Sequence, residues 1–159
     1  MTGDPADNDL PLTDGVGDWA GDAVASRMVE GTPYSVALGM RYLSSSAGRG
    51  SILLPWRADL VGADGTDILA PGVLTALIDH TCGLAIMAGL AFEASPATLD
   101  LRIDHMRPAA PRASVTCAAH VYRATRTIAF LRAEAWDVSP DDPVAAAQAA
   151  FTLNRRGAK

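Results

Sequence analysis

The chain has 159 residues, of which 49% are hydrophobic and 19% are charged, and its formal net charge is -5. This size and composition predict one domain with a substantial apolar core, rather than two small domains. The two cysteines, Cys82 and Cys117, lie far apart in the sequence. Their spacing indicates neither a disulfide framework nor a zinc knuckle, and it suits a reducing compartment such as the cytoplasm.

The acidic charge is concentrated at the beginning of the chain. Residues 1–26 contain no lysine or arginine, but they contain Asp4, Asp7, Asp9, Asp14, Asp18 and Asp22. Subtracting these six from the 18 acidic residues leaves twelve acids against 13 bases, so the remainder is nearly neutral at +1. We predict a flexible acidic leader over residues 1–18 and a single domain over residues 19–159. The charge of the leader opposes nucleic-acid binding, and we expect no nucleic-acid partner.

The first predicted elements are a helix and a hairpin. Residues 19–30 suit a short amphipathic helix, and the proline at position 33 marks a boundary after it. Residues 39–46 and 50–57 are strand-like, and the Ser- and Gly-containing sequence between them suits a hairpin turn. Residues 63–67 are typical of a loop.

Residues 71–92 are predicted to form a long helix that is buried on all sides. Pro71 suits the first turn, where its missing N–H is not needed, and hydrophobic residues cover every side of the segment. Asp79 is a carboxylate near the middle, where an ionised group costs several kcal/mol unless it is partnered. We therefore expect Asp79 to have a function. Because Asp79, His80 and several glycines interrupt the apolar sequence, we predict neither a membrane span nor an export signal.

Four strands are predicted after this helix. Residues 98–105 alternate, with one face formed by Leu99, Leu101 and Ile103 and the other by Thr98, Asp100, Arg102 and Asp104. Residues 114–123 and 127–137 form two more strands joined by a turn. Residues 144–154 are rich in alanine, which favours a helix, but their Phe-Thr-Leu ending favours a strand, and we interpret them as a strand. The six strands then form a sheet that wraps around the single buried helix.

Other side chains give less specific indications. His80 is rotated by about 100° from Asp79 on a helix, which argues against a catalytic pair between these neighbours and favours a packing or interface role. Most of the arginines in the C-terminal half suit solvated strand edges, although one or two could bind the phosphates of a nucleotide-bearing substrate. The sequence contains no Gly-x-Ser-x-Gly elbow, phosphate-binding loop or metal-ligand cluster.

Two segments carry a family resemblance, and it spans roughly residues 33–155. They are Asp64-Gly-Thr-Asp-Ile-Leu-Ala-Pro-Gly-Val-Leu-Thr-Ala-Leu-Ile-Asp79 and Ala97-Thr-Leu-Asp-Leu-Arg-Ile-Asp-His-Met-Arg-Pro-Ala109. They resemble the hotdog-fold acyl-CoA thioesterases of the phenylacetate-pathway and 4-hydroxybenzoyl-CoA type. The resemblance implies an α+β hotdog fold, in which an antiparallel sheet wraps around one long helix. It also implies active sites between two subunits, and hence a homodimer or a homotetramer.

The resemblance implies the roles of four residues. Asp79 matches the helix acid that attacks the thioester carbonyl or activates a water to do so. Thr98 matches a hydroxyl position that orients this water, and Asp64 falls where many relatives have an asparagine. Relatives commonly read His-Gly-Gly where this chain has Ala70-Pro71-Gly72, and the N–H of the middle glycine receives the developing oxyanion. Proline has no N–H at that position, so the N–H of Gly72 is the candidate oxyanion donor.

The expected function is hydrolysis of an acyl-CoA in the cytoplasm, without a membrane partner and without a cofactor, since coenzyme A is part of the substrate. Two departures from the family pattern favour the alternative of a non-catalytic hotdog protein that binds acyl thioesters or serves as a scaffold. Pro71 offers no N–H, and the loss of one oxyanion donor lowers turnover by about 10² to 10³. Asp64 cannot donate a hydrogen bond as an amide does unless it is protonated.

Overall fold

One antiparallel sheet and one long helix make up most of the fold. The computed structural model describes residues 19–90 and 94–155, so the leader predicted over residues 1–18 lies outside the described residues. The helices are α1 (Trp19–Gly31), α2 (Pro33–Leu38) and α3 (Pro71–Gly89), with a short 3-10 helix at Ala58–Leu60. The strands are β1 (Arg41–Ser46), β2 (Arg49–Leu54), β3 (Ala94–His105), β4 (Val115–Ala124), β5 (Ile128–Trp136) and β6 (Ala145–Arg155). They form a six-stranded sheet in the order β1-β2-β4-β5-β6-β3, which confirms the predicted hotdog fold.

The core lies between α3 and the inner face of the sheet. Leu77 and Ile78 of α3 are fully buried, as are Val115 of β4 and Leu131 of β5. The side chains of a strand point alternately to its two faces, so every second residue of β4 and β5 faces the helix and is buried. At Gly50 of β2 an added Cβ would lie 2.9 Å from Leu84 and 3.0 Å from the Ala85 nitrogen, so this glycine lets α3 approach the sheet closely.

The burial of α3 differs from the prediction along its length. Residues 81–86 are all buried, but Pro71, Gly72 and Thr75 in the first turns are exposed. The difference arises because the short helices cover only the later turns, where Met28 of α1 approaches Gly83. The helix is long and apolar enough to cross a membrane, yet most of it is buried inside the fold. It ends at Gly89, three residues before the predicted end, and residues 91–92 lie outside the described residues.

Helix α2 was not predicted, although the sequence contains its signals. Pro33 occupies the first turn and Gly39 follows the last residue, with a φ of 72° and its N–H donating to Ser35 and Val36 carbonyl oxygens. The first predicted strand therefore begins at Arg41 rather than at residue 39. The last three strands agree with the prediction to within two residues, and the strand interpretation of residues 144–154 is confirmed.

A β-bulge in β3 reverses the predicted faces at one point. Thr98 lies opposite Phe151 and Asp100 lies opposite Ala150, so Leu99 is the extra residue between them. Leu99 is consequently 56% exposed, and the Thr98 side chain points to α3. The predicted assignment of Thr98 to the polar face and Leu99 to the apolar face was wrong, because the extra residue shifts the alternation by one position.

Candidate functional site

The site is centred on Asp79, two turns into α3. The side chain is half-buried, and the Thr98 hydroxyl donates a 2.7 Å hydrogen bond to its Oδ1. Among the described residues the other carboxylate oxygen, Oδ2, has no hydrogen-bond partner. Hydrogen bonds to an ionised acceptor are short and strong, so Thr98 orients the carboxylate. Two of the four sequence-predicted site residues are thus in direct contact.

A cavity of about 140 Å³ lies beside Asp79. Its walls include Tyr34 and Ser35 of α2, Met40 that follows this helix, and Ala76 and His80 of α3. The site predicted from the sequence lacked these α2 residues, because α2 itself was not predicted. The Thr-Pro beginning and the Gly39 end of α2 are the signals that could have identified this wall.

His80 borders the same cavity but is held by other groups. Its Nε2 lies 3.3 Å from the Ser35 hydroxyl of α2. Burial lowers the pKa of His80 below its usual value, while the charge of Asp79 acts in the opposite direction. No hydrogen bond joins His80 to Asp79 in the part of the chain that the structure describes. The two neighbours therefore share a cavity without forming a catalytic pair.

Gly72 lies at the second position of α3, where a backbone N–H has no intrahelical acceptor. The residue is exposed, and Pro71 occupies the first position of the helix. Gly72 and Asp79 are seven positions apart, which corresponds to about 10 Å along the axis of α3. Both groups project from one helix, but they are too far apart to contact a single thioester carbonyl.

Asp64 lies in a tight turn before α3. The Thr66 N–H donates to the Ala63 carbonyl at 3.2 Å, and Gly65 has a φ of 77°, as expected for the third residue of a type II turn. Asp64 is exposed and forms neither a hydrogen bond nor an ion pair with the described residues. Of the four predicted site residues, all of which lie in the described ranges, only Asp79 and Thr98 are in direct contact within one chain.

The base of this loop is held by a strained pair. Asp67 and Arg112 have φ values of 55° and 61°, and no other non-glycine residue of the described ranges has a positive φ. The Arg112 N–H and Nε donate to the Asp67 carbonyl and to Oδ2, each at 2.8 Å, and Trp56 Nε1 donates to the same carbonyl at 2.8 Å. Left-handed non-glycine residues persist only where their surroundings determine them. The loop that carries Asp64 is thus fixed at its base.

A second cavity, of about 570 Å³, lies between this loop and the start of α3. Its walls are mainly apolar and include Ile68, Leu69, Leu74, Met106, Pro108 and Ala109. Such a lining suits an apolar group. No cluster of three or more His, Cys, Asp or Glu side chains suited to a metal ion occurs within residues 19–90 and 94–155.

Comparisons with known proteins agree with this fold. Residues 67–144 match the profile of the thioesterase superfamily, and no curated protein sequence matches the chain. A protein structure from Pseudomonas aeruginosa is 29% identical, with a TM-score of 0.75, and the match covers 83% of this chain and 98% of that chain. A mutant of the phenylacetic acid degradation protein PaaI from Thermus thermophilus is 27% identical, with a TM-score of 0.65 and coverages of 76% and 98%.

A thioesterase from Haemophilus influenzae shares the fold at 16% identity, with a TM-score of 0.71 and coverages of 84% and 92%. The profile match, the strand order and the central helix lead to one assignment. The chain has the hotdog fold, and over residues 67–144 it is similar to the thioesterase superfamily.

Proposed function

We propose that the protein hydrolyses the thioester bond of an acyl-CoA, with Asp79 as the general base or the nucleophile. The contact between Asp79 and Thr98 is the observation that carries this proposal, because it orients a carboxylate beside a cavity and leaves Oδ2 without a partner. The match of residues 67–144 to the thioesterase superfamily supports the reaction class.

Two versions of the first step fit this geometry. Asp79 Oδ2 takes a proton from a water whose oxygen attacks the carbonyl carbon, or Oδ2 attacks that carbon itself. In either case the carbonyl oxygen becomes an oxyanion, the carbon–sulfur bond breaks, and the coenzyme A thiolate leaves and takes up a proton. Attack by water releases the free acid directly, whereas attack by Oδ2 leaves an acyl–aspartate anhydride, which a water then hydrolyses to the free acid and the Asp79 carboxylate. Thr98 keeps Oδ1 occupied, so that Oδ2 faces the reacting carbon.

The proposed site is completed by a second copy of the chain. Because Gly72 and Asp79 of one chain are about 10 Å apart along α3, Asp79 and Thr98 of one copy would act with Gly72 and Asp64 of another. Strand β3 is 12 residues long and lies at an edge of the sheet, where its unpaired backbone groups suit pairing with another strand. We propose a homodimer, which a homotetramer would also contain.

The test measures thiol release from a panel of acyl-CoAs. We expect the wild-type protein to release thiol and the isosteric variant Asp79→Asn to be slower by about 10² to 10⁴, the usual contribution of a positioned base. Asp104→Asn, which removes an exposed carboxylate from β3, is the matched control and should retain activity. A wild-type protein without activity, or an Asp79→Asn variant with unchanged activity, would remove the catalytic role of Asp79.

The alternative is a non-catalytic protein that binds acyl thioesters or serves as a scaffold. Pro71 at the first helical position favours it, because this residue cannot donate to an oxyanion. Saturable binding of a non-hydrolysable acyl-CoA analogue without thiol release would support this alternative. In both cases we propose a cytoplasmic protein that needs no cofactor, and the buried free thiols of Cys82 and Cys117 suit that compartment.

A further inference from the structure

The outer face of the sheet, opposite to α3, carries a row of basic side chains. Arg49 of β2 lies directly opposite His120 of β4, and His120 lies directly opposite Arg132 of β5. The inner-face positions of these strands are buried, whereas Arg49 and Arg132 are exposed. We call these three residues the basic row.

The basic row is unfavourable for a charged His120. Arg49 and Arg132 lie directly opposite His120 on its two neighbouring strands, and like charges at such positions destabilise a β-ladder. Burial and then the charges of Arg49 and Arg132 lower the pKa of His120 below its usual value, and Glu134 opposes this effect only in part. Packing within the chain therefore does not explain why these residues lie together.

Neither arginine of the basic row is neutralised by the described residues. Arg49 and Arg132 form no ion pair with residues 19–90 or 94–155, whereas four other arginines each contact an aspartate: Arg57, Arg102, Arg107 and Arg112. The Arg132 guanidinium lies 5.2 Å from the centre of the Tyr122 ring, which restricts its position without neutralising it. Both guanidinium groups remain available to an anion.

A groove of about 340 Å³ runs beside the basic row. Ala118 contributes a small side chain to it, and the indole of Trp136 and the carboxylate of Glu134 lie at its other end. This volume is at the lower end of the range of small-molecule sites. One end of the groove thus presents cations, while the other presents an aromatic surface and a hydrogen-bond acceptor.

We propose that this groove binds a small molecule that carries phosphate, with Arg49 and Arg132 holding the phosphate oxygens. A planar guanidinium can donate two parallel hydrogen bonds to a pair of phosphate oxygens. Arg49 on β2 and Arg132 on β5 lie on either side of His120 on β4. Trp136 and Glu134 contact the remainder of the ligand, such as a base and its sugar hydroxyls. The groove is on the opposite face of the sheet from Asp79, so the inference is independent of the proposed thioesterase activity.

The test is calorimetric titration at low salt with pyrophosphate, adenosine diphosphate and adenosine. We expect saturable binding of the two phosphate compounds and none of adenosine. Loss of one charge-assisted contact weakens binding by about tenfold or more, so the variant Arg49→Gln/Arg132→Gln should bind pyrophosphate at least about 100-fold more weakly. Arg102→Gln is the matched control, because Arg102 lies on the same face but is paired with Asp104.

The same titrations distinguish two kinds of ligand. If adenosine diphosphate binds more tightly than pyrophosphate, and Trp136→Phe removes this difference, the ligand is a nucleotide. If the two affinities are equal, the groove recognises the phosphate group alone. In the wild-type protein, nuclear magnetic resonance should show that saturating pyrophosphate raises the pKa of His120. No binding by the wild type, equal binding by the double variant, or an unchanged His120 titration would overturn the proposal.

Discussion

Gly72 has no structural reason to be glycine within the chain. Its φ is not positive, and an added Cβ would meet nothing within 4 Å. Alanine is favoured over glycine in helices by up to about 1 kcal/mol, so Gly72→Ala should fold at least as stably as the wild type. If a substrate approaches this N–H, the added methyl group should lower thiol release by about tenfold or more.

Thermal unfolding and thiol release, measured on the same preparations, check this prediction for Gly72. Gly31→Ala at the end of α1 is the control, since its Cβ would lie 3.5 Å from Arg27, an ordinary contact. We expect it to retain activity. Full activity of Gly72→Ala would mean that nothing approaches this position during the reaction.

Thr98 is the second residue whose role can be isolated. Thr98→Val removes the hydroxyl that donates to Asp79 and keeps the shape, so we expect turnover to fall by about tenfold to 100-fold. Thr98→Ser should restore most of the loss. Thr152→Val is the control, since that hydroxyl donates to the Ala97 carbonyl and not to Asp79. Equal activities of Thr98→Val and Thr98→Ser, measured by thiol release, would contradict an orienting role.

The position of Thr98 also shows what residue patterns can predict. Asp79 was predicted from the sequence as a functional residue, because a lone carboxylate in an apolar segment is unusual by composition alone. The face on which Thr98 lies was predicted wrongly from alternation, because a bulge depends on the pairing of β3 with β6. Only the family resemblance indicated that Thr98 belongs with Asp79.

At the scale of elements, an ion pair joins the end of β3 to the connection between β5 and β6. The Asp137 side chain is 1% exposed, and it accepts hydrogen bonds from Arg107 Nη1 and Nη2 at 3.0 and 2.6 Å and from the Ala110 N–H at 2.7 Å. The Arg107 guanidinium, followed by the backbone N–H groups, holds the pKa of Asp137 well below its usual range. A lowered folded-state pKa stabilises the fold above the unfolded-state value of about 4.

We therefore predict that Asp137→Asn lowers the free energy of unfolding by about 2 kcal/mol near neutral pH. The difference from the wild type should shrink as pH falls below about 4, since the wild-type carboxylate then loses its advantage over the unfolded state. Urea unfolding at about pH 7 and about pH 3 measures both values. Asp104→Asn, in an exposed pair, should change stability little at either pH. A difference that is independent of pH would exclude the ionised pair as its cause.

Elements with a long repeat were predictable, whereas short or non-local features were not. Strands β3 to β6 are each nine or more residues long, so alternation indicates them even where a bulge interrupts it, but α2 has only six residues. The pair of Asp67 and Arg112 joins residues 45 positions apart, and no local pattern indicates such a contact. The fixed position of the loop that carries Asp64 is therefore visible only in the folded chain.

For the whole molecule, the central question is whether one chain is sufficient for activity. Within a chain, Asp79 contacts Thr98, while Gly72 lies two turns away and Asp64 has no partner among the described residues. Composition and periodicity describe one chain at a time, so the sequence indicated a shared site only through the family resemblance. The exposed edge of β3 adds an independent structural reason to expect self-association.

This expectation gives a prediction about Leu99, which is 56% exposed at the bulge of the edge strand. A charge at an edge strand disfavours pairing with another edge, so Leu99→Asp should shift the protein from dimer to monomer. Since Gly72 and Asp79 of one chain cannot contact the same carbonyl, the monomer should also lose thiol release. Val138→Asp is the control, because Val138 is 83% exposed and lies outside β3. Analytical ultracentrifugation and thiol release would be measured together, and an active Leu99→Asp monomer would show that a single chain contains a complete site.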